Sequence, residues 1–143
     1  MSREVATGRF GNVRYEDRDV IRMVAGMPGF ESLRQFLLID STEYEPVKFL
    51  QSLEEPRISF PLIDPRLVRS DYRVSLDAAQ QESLGLDHPG EGLVYSILTL
   101  GDNPAEVTAN LFAPVVINLA TMKAAQIILF ESEYSVEEPV LGG

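Results

Sequence analysis

The chain has 143 residues, 45% of them apolar and 24% charged, which suits one compact domain with its own core and excludes a disordered tail. Its 22 acidic against 12 basic side chains give a formal charge of −10. That balance excludes the clustered cations that grip nucleic acid and would be repelled by an anionic membrane, and the lack of Cys excludes thiol nucleophiles, disulfides and Cys-rich zinc sites.

Short apolar runs rich in β-branched and aromatic residues, with turn formers between them, predict a mainly antiparallel all-β protein. Strands are expected at 9–15, 20–23, 36–40, 47–51, 58–63, 73–76, 92–100, 107–111, 115–118 and 125–130. Gly26-Met27-Pro28-Gly29, Asp64-Pro65, Asp87-His88-Pro89-Gly90 and Gly101-Asp102-Asn103-Pro104 supply turns. A short helix is expected at 78–84: Asp77 can cap it, Gln80 holds the reciprocal capping-box position, and Gly85 can take the left-handed conformation that ends it. Further helical turns are expected at 31–35 and 119–123. Phe112-Ala113-Pro114 breaks what would otherwise be one strand from 107 to 118, because Pro114 cannot donate to a ladder; the break marks an edge, a bulge or a corner. About ten short strands with such a corner predict a small closed or nearly closed β-barrel with one or two short helices, a two-sheet sandwich being the alternative. One domain is expected over 1–143, with a tail that frays from about 133.

Catalytic constellations are scarce. The one histidine, His88, sits before Pro-Gly in a turn, and no nucleophile-elbow pattern accompanies it. Asp40-Ser41-Thr42-Glu43-Tyr44-Glu45 starts like a calcium loop but has Glu45 where the sharp turn requires Gly. The adjacent acids Glu54-Glu55 and Glu137-Glu138 would point to opposite faces of a strand and not act together. The glycines form no phosphate loop or dinucleotide fingerprint. No cofactor and no metal are therefore expected. The longest apolar run, 111–117, is far short of the ~20 residues that cross a bilayer, and the N-terminus has no apolar signal region, so a cytoplasmic location without a membrane partner is expected.

The motif residues have physical readings of their own. Gly26 and Gly29 are expected to serve a turn that needs positive φ, with Phe30 as a core plug just past it. Asn110 and Asn118 flank the Pro114 corner, where a side-chain amide can satisfy backbone groups that a broken ladder leaves free.

These stretches together resemble one family. Gly26-Met27-Pro28-Gly29-Phe30-Glu31, Phe49-Leu50-Gln51-Ser52-Leu53, Ile63-Asp64-Pro65, Thr108-Ala109-Asn110-Leu111-Phe112-Ala113-Pro114-Val115-Val116-Ile117-Asn118, and Gln126-Ile127-Ile128-Leu129 followed by Tyr134 are similar in type and order to the flagellar assembly factor FliW family. Phe112 stands where that family often has a polar or basic residue. The resemblance implies a β-barrel-like cytoplasmic protein, not an enzyme, that makes alternative complexes with flagellin and with the RNA-binding translational regulator CsrA. In the second complex it would prevent CsrA from repressing flagellin mRNA. A basic partner directs attention to the acids after Arg73, where Lys123 alone faces 10 Asp and Glu. Glu91, Asp102, Glu106, Glu131 and Glu133, with Phe30, are the candidate contacts. The reading from another class is a small carboxylate-dependent β-barrel enzyme.

Overall fold

The computed structural model describes residues 2–140. Strands β1 (Ser2–Thr7), β2 (Gly11–Glu16), β3 (Ile21–Met23), β4 (Gln35–Asp40), β5 (Lys48–Ser52) and β6 (Ser59–Ile63) precede two short helices, α1 (Pro65–Val68) and α2 (Ala78–Leu84). Strands β7 (Leu93–Thr99), β8 (Thr108–Ala109), β9 (Val115–Asn118), β10 (Lys123–Gln126) and β11 (Glu138–Pro139) follow. Seven strands close on themselves in the order β7-β6-β5-β4-β3-β10-β9, with β9 returning to β7. The expected closed, mainly antiparallel barrel is thus the architecture observed, and the sandwich is not. Within the ring β3 and β10 run parallel and every other neighbour pair is antiparallel.

Alternation along each strand sends one set of side chains inward. Ile21 and Met23, Phe36, Leu50, Leu62, Tyr95, Val115 and Ile117, and Ala124 form the barrel interior. The outer face is covered in three places. Helix α2 and the turn after it bring Leu84 and Leu86 onto Val116, Ala125 and Ile127. The C-terminal segment lays Tyr134 and Val140 on a second cluster of Ile63, Tyr72, Leu98, Ala109 and Leu111. The β1–β2 hairpin, paired from Ser2↔Glu16 to Thr7↔Gly11, docks through its turn, where Phe10 meets the rings of Phe49 and Tyr44 edge-on at 5.1 and 6.1 Å. Double coverage explains why β9 is buried along its whole length and reads in the sequence as an unbroken apolar run.

The break at Phe112–Pro114 is a bulge on one edge of β7. Leu98 pairs with Ala109, and continuing that register would bring Leu93 opposite Pro114. It lies opposite Ile117 instead, so three residues are extruded. Asn110 Oδ1 accepts from the freed N–H groups of Phe112 and Ala113 at 3.1 and 3.0 Å, and Tyr72 Oη donates to the carbonyl of Leu111 at 2.7 Å. Helix α2 has the expected ends: Asp77 Oδ1 accepts from Gln80 N–H at 2.7 Å, Gln80 Oε1 accepts from Asp77 N–H at 2.9 Å, and Gly85 has φ +70°. Asn118 Nδ2 donates to the Leu84 carbonyl at 2.9 Å and fastens the helix to β9.

Several expectations need correction. Residues 9–15 are not one strand: Gly8–Phe10 form a turn after β1, whose charged sequence carries no apolar signal because both its faces are largely exposed. Residues 73–76 form no strand. Residues 31–35 and 119–123 hold turns, not helices; in the latter Met122 N–H donates to Asn118 O at 2.7 Å to close the β9–β10 hairpin. The Asp64-Pro65 turn opens α1, with Asp64 Oδ1 capping Arg66 N–H at 3.0 Å. In the segment from 133, Glu138 and Pro139 pair with Ala109 and Thr108; 141–143 lie outside the described residues.

Burial pushes the pKa of the Tyr72 phenol up from its ordinary value of 10.0. Folding therefore holds the neutral form: its contribution is full below the unfolded pKa near 10 and is lost as pH rises beyond it. Tyr72→Phe should cost about 1–2 kcal/mol at neutral pH by orphaning the buried Leu111 carbonyl, and it should flatten the decline of stability above about pH 10. Urea unfolding across that range measures both.

Candidate functional site

The Gly26–Glu31 turn connects β3 to β4 at one end of the barrel. Met27, not Phe30, enters the interior cluster. Phe30 is 39% exposed and stands edge-on to Phe60 at 5.0 Å, so it lies over the rim of the core and does not plug it. The reason is the turn itself: Phe30 N–H donates to Met27 O at 2.8 Å and Gly29 has φ +84°, which reverses the chain after Met27 is already inside. Gly26 is a second correction, since it has no positive φ. A Cβ there would stand 2.7 Å from Glu31 Cα, so close approach of backbone, not handedness, requires glycine. Glu31 Oε2 accepts from Gly29 N–H at 3.0 Å, and the backbone amides of Glu31 and Gly29 hold its carboxyl below the ordinary value.

Asp102 and Glu106 occupy the loop after β7, and antiparallel connectivity places that loop at the same end as Phe30. Glu106 faces inward to the loop: Oε2 accepts from Asp102 N–H and Oε1 from Asn103 Nδ2, both at 2.9 Å. Glu91 precedes β7 and so lies at the opposite end, about 20 Å away along a strand of this length. Its Oε1 accepts from the N–H groups of Asp87 and His88 at 3.1 and 3.0 Å and stands 3.3 Å from His88 Nε2. Glu131 and Glu133 are exposed in the segment that leaves β10. The fold therefore joins Asp102, Glu106 and Phe30 at one barrel end, puts Glu131 and Glu133 on the segment after β10, and separates Glu91. Asp102, Glu131 and Glu133 keep carboxylates without a hydrogen-bond partner among the described residues.

The Gly26–Glu31 turn and the Asn110–Pro114 bulge thus shape one barrel end, and the chain as a whole is similar to known proteins. A family model described as FliW protein matches residues 4–140. The chain belongs to the FliW family. It is 38% identical over 139 residues to the flagellar assembly factor FliW of Caldanaerobacter subterraneus subsp. tengcongensis, covering 96% of this chain and 93% of that one. Identity to the flagellar assembly factor FliW of Bdellovibrio bacteriovorus is 37%, covering 95% and 78%. A crystal structure of the flagellar assembly factor FliW superposes with a TM-score of 0.92 at 32% identity over 99% of both chains.

Reading the sequence missed the exposed apolar side chains of this FliW barrel. Phe130 is 80% exposed, with its ring edge-on to Phe112 at 6.4 Å; Leu67, Leu100, Leu119 and Val136 are also exposed. Phe130 ends the run Ile127-Ile128-Leu129-Phe130, whose lack of alternation hides which members face outward. Asn110 accepts from amides of the break and Pro114 sits within the extruded bulge, whereas Asn118 serves groups away from it, donating to Leu84 O and accepting from Ala120 N–H, both at 2.9 Å.

Gly26→Ala is expected to destabilise the fold by about 1–3 kcal/mol, because backbone must shift to admit the methyl group. Gly29→Ala, which has open space around it but positive φ, should cost about 1 kcal/mol from strain alone. Denaturant midpoints of the two variants test the order.

Proposed function

We propose that this chain is a cytoplasmic regulatory binding protein, without catalytic activity, that forms alternative complexes with flagellin and with the translational regulator CsrA. Membership of the FliW family carries the reading. The names of the relatives, flagellar assembly factor, support its flagellar side, and the alternative complexes are those the sequence resemblance implies. While this chain holds CsrA, flagellin mRNA is free of repression; flagellin accumulating in the cytoplasm takes the chain away, releases CsrA and slows its own synthesis. Neither nucleic acid nor membrane is a direct partner on this reading, in keeping with the charge of −10. Among the described residues no helix is long and apolar enough to cross a membrane, and no three His, Asp or Glu side chains gather to hold a metal ion.

For a regulator that grips RNA with cations, charge should act mainly on the encounter rate. Asp102, Glu131 and Glu133 are the carboxylates to neutralise. Glu91 and Glu106 accept loop amides, so changing them would confound loop structure with binding.

The decisive experiment is a titration of flagellin into a preformed complex of this chain with CsrA, followed by size-exclusion chromatography. CsrA should elute free as flagellin takes its place, and a persistent ternary complex would contradict the exchange. In stopped flow, association with CsrA should slow as salt rises and slow again, by about tenfold, in the combined Asp102→Asn, Glu131→Gln, Glu133→Gln variant. A rate indifferent to both changes would remove the electrostatic mechanism.

A further inference from the structure

The connection between α1 and α2 inverts the charge of the chain around it. Residues 66–76 carry Arg66, Arg69 and Arg73 against Asp71 alone, in a protein whose formal charge is −10. Arg66 and Arg73 line one hollow of ≈ 490 Å³ together with Ser70, Asp71 and Ser75. Among the described residues neither guanidinium has an ion-pair or hydrogen-bond partner, and neither serine hydroxyl has one. Asp71 does not cancel these cations, because its Oδ1 accepts from Arg69 Nε at 3.0 Å, and Arg69 also stands over the Tyr134 ring, its Cζ 5.1 Å from the centroid. Asp77 and Glu131 share the neighbouring groove with Arg73, yet neither forms an ion pair with it among the described residues. Two uncompensated cations remain.

The backbone that carries these groups is fixed. Ser70 and Asp71 are the central residues of a turn closed by Tyr72 N–H on Arg69 O at 3.0 Å, and Arg69 N–H donates in its turn to Pro65 O at 2.8 Å. Tyr72 is buried, with its hydroxyl on Leu111 O at 2.7 Å, and Arg73 N–H donates to Tyr134 Oη at 3.0 Å. Val74 packs on the cluster that holds Ile63, Leu98 and Leu111. A main chain already in place lowers the ordering cost that a small ligand must offset, and only the side chains are left to settle around it.

We propose that this hollow binds a phosphate group, free or as a monoester, between the guanidiniums of Arg66 and Arg73, with the hydroxyls of Ser70 and Ser75 completing the donor set. Charge and donor count select the ligand. Two uncompensated guanidiniums match a dianion, and two bidentate forks with two hydroxyls offer roughly six donors, more than the about four lone-pair sites of a carboxylate can use. The three terminal oxygens of a phosphoryl group can accept them all. A nucleic acid is disfavoured, because it needs a succession of phosphate contacts, and beyond Arg73 the next groove presents Asp77 and Glu131. One phosphate suits the hollow, and a chain of them does not. The inference is independent of the flagellar reading, since it invokes neither CsrA nor flagellin.

The test titrates the full chain, isotope-labelled, with inorganic phosphate at low salt, against acetate at matched ionic strength. Amide resonances of Ser70, Asp71, Val74 and Ser75 and the Nε–H signals of Arg66 and Arg73 should shift to saturation with a Kd of about 1 mM, and acetate should bind more weakly. Arg66→Gln and Arg73→Gln should each weaken phosphate binding about tenfold, with the native amide spectrum retained elsewhere. Arg57→Gln removes the same charge from the β5–β6 connection and should leave the affinity unchanged. Asp71→Asn should tighten binding, because it releases Arg69. A blocked hexapeptide carrying one phosphoserine distinguishes the sources: tighter binding than inorganic phosphate assigns the hollow to a phosphorylated protein, and equal or weaker binding assigns it to the free ion. No saturable shift, equal affinity for acetate, or an Arg57→Gln loss as large as that of Arg66→Gln would each overturn the proposal.

Discussion

Closure of the barrel depends on β7 holding two partners on one of its edges. β8 takes its C-terminal end and β9 its N-terminal end, so the sheet that would otherwise end at β8 and β9 becomes a ring with β6 on the other side of β7. The two pairings are out of register by three residues, and the chain between them must leave the ladder. Everything around the bulge answers that requirement: Pro114 has no N–H to orphan, Asn110 supplies an acceptor for two amides, and the Tyr72 hydroxyl reaches the carbonyl of Leu111. The extruded chain is then available to pair with 127–129, and this extends the β9–β10 hairpin beyond the barrel wall.

That geometry also explains where the sequence could be read and where it could not. The α2 capping box and its terminal glycine are local signals within a few residues, and so is the inability of Pro114 to donate; all three were legible. Strand β1 was not, because Ser2-Arg3-Glu4-Val5-Ala6-Thr7 has neither alternation nor an apolar face and is specified by its partner across the turn. Residues 73–76 show the opposite failure. Their pattern is that of a strand, yet no strand among the described residues pairs with them, since partner supply is a property of the whole fold. Phe30 misled for a related reason: in a tight turn the residue that enters the core is decided by a reversal at Gly29, and hydrophobicity alone could not choose between Met27 and Phe30.

Net charge, legible at once from composition, says little about a surface until the acids are placed. Of the five acids singled out, Glu91 and Glu106 hold their own loops together, whereas Asp102, Glu131 and Glu133 have no carboxylate partner among the described residues. The useful distinction is between acids that shape backbone and acids left to meet a partner, and only hydrogen-bond geometry draws it. Membership of the FliW family rests on the whole length of the chain, so it says what kind of protein this is without assigning any of these carboxylates a partner.

The parallel pairing of β3 with β10 joins residues 22–23 to 123–124, and the ring closes at β7–β9 only when 115–117 are in place. A ribosome making this chain from its N-terminus releases β3 to β7 as an open curved sheet with bare margins, and the seam can be sewn only after most of the polypeptide has emerged. Long-range pairings of this kind fold slowly and leave aggregation-prone edges exposed meanwhile. During synthesis, the vulnerable interval therefore lasts until the final quarter of the chain arrives.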